Sequence, residues 1–186
     1  VAFCVTAAAW ADGAGHQGPR PPELSDPAKI KALIGQLGSG RYVARRQAQQ
    51  ELARAGVAAF DALQQAVTHD DPEVATTAAF LLSEIEIPWQ SADDSSEVTK
   101  LLSGYDKATL DGRVQAVLKL GQLPAAEARP ALCRIVRYDQ DAIVSKLAAV
   151  MMLDDFIKSA DSPPLTFAEL EVLLGTSQRE AAGWLR

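Results

Sequence analysis

A chain of 186 residues with 48% apolar side chains carries enough hydrophobic material to pack the core of one ordinary domain, which argues against disorder. Aromatic residues make up only 6% while alanine abounds, a balance that suits closely stacked helices better than a sheet of β-branched and aromatic residues. The net charge of −6 is spread along the chain with no basic half, so nucleic acid, which needs a clustered cationic face, is not an expected partner.

Residues 1–11 are an apolar stretch ending in Ala9-Trp10-Ala11, with small residues at the two places a signal peptidase reads. They read as the remnant of a secretory signal cleaved before Asp12, and so as a sign of export to the periplasm or cell surface; a short N-terminal helix in a cytoplasmic protein is the alternative. Eleven residues are too few to span a bilayer, so stable membrane insertion is not expected. Residues 12–26, with Gly13, Gly15, Gly18, Pro19, Pro21 and Pro22, read as a flexible linker.

From Asp26 onward helical punctuation recurs. Asp26-Pro27 and Asp71-Pro72 each place an N-cap acceptor before a proline whose missing N–H costs nothing in the first turn. Thr166 to Glu169 and Ser177 to Glu180 have capping-box spacing. Gly38, Gly56, Gly104, Gly121 and Gly175 each follow an apolar-periodic run and read as stops. The expected helices are 27–37, 42–55, 58–68, 72–86, 95–103, 108–121, 126–138, 142–156, 166–174 and 177–185. The repeat domain therefore spans 27–186, with breaks near 87–96, a polar stretch after Ile87-Pro88-Trp89, and near 123–130, where Pro124 and Pro130 fall.

Every second helix shares a register. Aligned at Ala44, Val74, Gly112, Val144 and Gln178, the fifth slot reads Ala48, Ala78, Ala116, Ala148 and Ala182, and the ninth reads Leu52, Leu82, Leu120 and Met152 before departing at Arg186. Slots one, five and nine fall on one helical stripe, so a small residue admits a neighbouring helix closely and a long one fills the space a turn further on. These features predict an all-α fold of about five stacked helix pairs, the last incomplete, in a chain that is a monomer or part of a longer polypeptide.

Gly112 to Gly121 matches the pattern Val-Arg-x-x-Ala-Val-x-x-Leu-Gly of the second helix of HEAT-like repeats in all but its first slot. The stretch Leu37 to Ile85 resembles the exported HEAT-repeat proteins of bacteria. The resemblance covers about residues 27–186 and implies a right-handed α-α superhelix of the armadillo type, serving as a scaffold that binds a protein or peptide. It also leaves open a HEAT-like enzyme, of the alkylpurine DNA glycosylase or bilin lyase kind, or a regulatory segment of a longer enzyme. In such repeats the second-slot arginine, here Arg45, Arg113 and Arg179, commonly pairs with acids of the preceding turn or the next repeat, which points Arg113 to Asp111 or Asp139.

The residue inventory supplies no reaction, and the expectation is a non-catalytic chain without metal or cofactor. His69, beside Asp70 and Asp71, reads as an exposed helix-junction cluster, and Asp93-Asp94 and Asp154-Asp155 as solvated or capping pairs, since sequence neighbours on a helix diverge by about 100°. Cys133, within an apolar run, reads as a small buried hydrophobe. Trp89 and Trp184 read as anchors at the rim. A partner surface is expected opposite the alanine stripe, at slots three and seven: Arg46, Gln50, Phe80, Val114, Leu118, Lys146 and Val150, with Thr76 among them. Burial of those side chains between repeats is the alternative.

Overall fold

The computed structural model describes residues 26–158 and 165–186, and the expected signal remnant 1–11 and all of the expected linker except Asp26 lie outside them. Every regular element among the described residues is helical: α1 (Pro27–Leu37), α2 (Tyr42–Ala55), α3 (Phe60–Ala66), α4 (Pro72–Ser83), α5 (Ser96–Leu101), α6 (Leu110–Leu120), α7 (Ala125–Tyr138), α8 (Ala142–Lys158), α9 (Phe167–Leu174) and α10 (Glu180–Leu185), with 3₁₀ turns at Gly56–Ala59 and Tyr105–Lys107. None of these helices is long and apolar enough to cross a membrane.

The caps explain the starts. Asp26 accepts from the Ala28 N–H at 2.9 Å and Asp71 from the Glu73 N–H at 2.9 Å, each with proline in the first turn. Thr166 and Glu169 form the expected reciprocal box, with bonds of 3.3 and 2.8 Å. The expected box at Ser177 does not form, because α10 starts only at Glu180 and the buried Ser177 turns its hydroxyl to the Arg179 N–H. Pro130 lies inside α7, as the expected helix 126–138 has it, so the break expected near 123–130 is confined to the residues before Ala125. The carbonyl that Pro130 deprives of a donor belongs to exposed Ala126, where water can serve it. Gly38 and Gly121 end their helices without positive φ. What they provide is room, since a Cβ at Gly38 would stand 2.9 Å from Asp71 Oδ2 and one at Gly121 2.8 Å from Met151 Sδ.

Packing follows the alanine register. All five fifth-slot alanines are buried, as are Leu52, Leu82, Leu120 and Met152 one turn further on. Consecutive helices pack as α1 on α2, α3 on α4, α5 on α6 and α7 on α8, while α9 packs on α7 and α10 on α8. Like packs on like as well: α1 on α3, α2 on α4, α5 on α7, α6 on α8. No comparable packing joins α3 to α5 or α4 to α6.

The hydrophobic core is accordingly divided. One cluster holds Ile30 to Leu82 of α1–α4, and a second holds Val98 to Leu185 of α5–α10. Between them α4 stops at Ser83, three residues short of the expected end, and residues 84–95 run as a non-helical strap. Ile85 and Ile87 of the strap pack on the first core and Trp89 on the second, so its apolar residues bind two different bodies instead of one helical face.

Candidate partner-binding face

The opposite side of the second helices carries the residues singled out for recognition. On α2, Arg46 and Gln50 are exposed, and on α4, Thr76 and Phe80 are exposed, Phe80 at 62%. On α6, Val114 and Leu118 are half-buried, and Val114 packs against the second core, which withdraws it from a surface role. On α8, Lys146 is half-buried and Val150 is 45% exposed.

The register extends to α10, where slots three and seven are Glu180 and Trp184. Lys146 Nζ lies 2.6 Å from Glu180 Oε2 and 5.6 Å from the centre of the Trp184 ring, so α8 and α10 stand side by side in matching register. Trp184, 42% exposed, thus continues the seventh-slot row of Phe80, Leu118 and Val150. Both residues were absent from the expected face, although carrying the slot count past Gln178 would have found them. Lys146, one of the expected face residues, spends its charge within the face. The helices of this row fall into two packed sets, α2 with α4 and α6 with α8 and α10, on either side of the core division.

The second-slot arginines face a different neighbourhood. Arg45 Nε pairs with Glu73 at 2.8 Å and its Nη1 donates to the Ser39 carbonyl at 2.7 Å. Arg113 Nη1 donates to Asp139 at 2.6 Å, one of the two acids that the resemblance pointed to. Asp139 is buried and accepts further from Tyr105 Oη and from the Asp141 N–H, both at 2.8 Å. Burial, followed by the Asp139 charge, pushes the Tyr105 phenol well above its ordinary range and keeps it a neutral donor. Arg113 and Asp139 also line a cleft of about 1140 Å³ at the junction, together with Ile85, Trp89, Lys107 and Asp141.

Among the described residues no three His, Cys, Asp or Glu side chains converge as a metal site. His69 Nδ1 accepts the Asp71 N–H at 3.0 Å, which makes it part of the α4 cap. Cys133 is buried with its sulfur 3.5 Å from Met152 Sδ, and burial pushes its thiol up to about 12. Because the thiolate is the reactive form, Cys133 is expected to resist iodoacetamide at pH 8 in the native protein and to react once it is unfolded. Peptide mass spectrometry reads this directly, and native labelling of Cys133 would contradict the buried placement.

Compared with known proteins, the chain matches no family model, and neither a curated relative nor a solved structure is significantly similar to it.

Proposed function

We propose that the chain is a non-catalytic, exported scaffold of HEAT-like helix pairs, coiled as a right-handed α-α superhelix, that binds a protein or peptide on the seventh-slot face of its second helices. The observation that carries this reading is the recurrence of exposed apolar side chains, Phe80, Val150 and Trp184, at one register position on separate helices. Single exposed apolar residues are ordinary, but a repeated row is the form a recognition surface takes on stacked repeats. Within the packed set α6, α8 and α10, neighbouring helices stand about 8–10 Å apart, close to the roughly 10.5 Å rise of seven helical residues, so a partner helix laid across Leu118, Val150 and Trp184 would meet them with a heptad of apolar side chains, and Phe80 would extend the row across the core division. Export is supported by the apolar segment 1–11 with its Ala9-Trp10-Ala11 end.

Affinity capture from an extracytoplasmic fraction, run in parallel with the wild type and the Phe80→Ala/Trp184→Ala double variant, tests the reading. The expected result is a partner whose affinity falls at least about tenfold in the variant, as loss of aromatic anchors does, with a melting temperature close to wild type. Equal binding by both proteins, or repeated captures without a binder, would overturn it.

A further inference from the structure

The polar centre at Asp61 has no place in a stack that touches only its neighbours. Asp61 lies on α3, in the first core unit, and is buried. Its carboxylate accepts from Arg137 Nη2 at 2.9 Å and Nε at 3.4 Å, on α7, and from the Thr176 N–H at 3.1 Å and hydroxyl at 3.0 Å, in the α9–α10 loop. These partners lie 76 and 115 residues away along the chain and bypass α5 and α6. Gly175, at φ +57°, admits the arrangement, because a Cβ there would overlap the Arg137 guanidinium.

The same guanidinium stacks 4.9 Å above the Tyr138 ring, whose neighbour is Phe60, edge to face at 5.1 Å. One turn earlier on α7, Arg134 holds the strap to the second unit through the Trp89 carbonyl and Asp94. Among the described residues the two units thus meet at a polar and aromatic contact and along a covalent strap, with the cleft beside the strap.

We propose that Asp61, Arg137 and Thr176 form a latch that fixes the angle between the two helical units, with residues 84–95 as the hinge and the junction cleft as the space that widens on release. Four hydrogen bonds converge on one carboxylate, so closing the contact makes them together and opening it exchanges them for water. The angle also sets how Phe80 stands to Val150 and Trp184; that consequence rests on the partner-binding reading, while the latch itself does not.

Small-angle X-ray scattering and thermal melting of the full chain test it, independently of any partner. Asp61→Ala is expected to raise the radius of gyration and to split the thermal transition, as the units melt separately. Asp61→Asn, which retains acceptors for Thr176, should give a smaller change of the same sign. Should Asp61→Ala fail to fold, Gly175→Ala acts from the other side by displacing the guanidinium and should raise the radius likewise. Profiles for Asp61→Asn and Gly175→Ala that superimpose on wild type, with one cooperative transition each, would overturn the latch.

Discussion

Asp139→Ala is expected to cost about 3 kcal/mol of stability, toward the low end of the range for breaking a buried ion pair. The carboxylate is fully removed from solvent and takes three donors, from Arg113, Tyr105 and the Asp141 backbone. Its removal leaves the Tyr105 hydroxyl without an acceptor and the Arg113 charge without a counterion, while Arg113 Nε is already buried without a partner. The loss stays at the low end because the Arg113 side chain keeps 24% of its surface in water, which screens the stranded charge. Asp139→Asn preserves an acceptor and should lose clearly less. Urea titration separates these outcomes, and an Asp139→Ala midpoint equal to wild type would show that the network carries no net stability.

The second large effect is overfilling of the alanine stripe. Ala78→Leu is expected to destabilise by roughly 2 to 3 kcal/mol and Ala116→Leu by about 1, within the range for added methylenes in a packed core. The difference follows from geometry: Ala78 has no exposed surface, whereas Ala116 retains 8% and offers the larger side chain a way out. Melting of the two variants side by side checks both sign and order, and wild-type melting of Ala78→Leu would remove the basis for the register.

The helices that announce themselves locally could be read from the chain alone. Asp26-Pro27 and the run from Tyr42 to Gly56 lead to helices whose bounds, Pro27–Leu37 and Tyr42–Ala55, agree with the punctuation to the residue. The errors fall where tertiary contacts overrule local pattern. Ile85, inside the expected helix 72–86, serves the first core from an extended strap, as does Ile87 of the expected break, and Ser177 has capping spacing but is buried instead. At the candidate face, slot counting located Phe80 and Val150 and also named Val114, which the second core takes up. Asp61 was illegible for a simpler reason. Nothing near it in sequence distinguishes it from a solvated helix carboxylate, because its partners come from α7 and the α9–α10 loop.

That separation bears on the order in which the chain gains its structure. Helix pairs form from contacts between near neighbours, which need only short loops to close and are quick to assemble. Bringing Thr176 to Asp61 closes a loop of 115 residues, and the entropy of that closure is lost before the bonds repay it. The contact therefore belongs after the rate-limiting barrier, where stabilising interactions slow escape from the native state and leave the rate of arrival nearly unchanged. Asp61 acts on how long the folded molecule persists, a quantity set by the barrier to unfolding and distinct from the equilibrium stability.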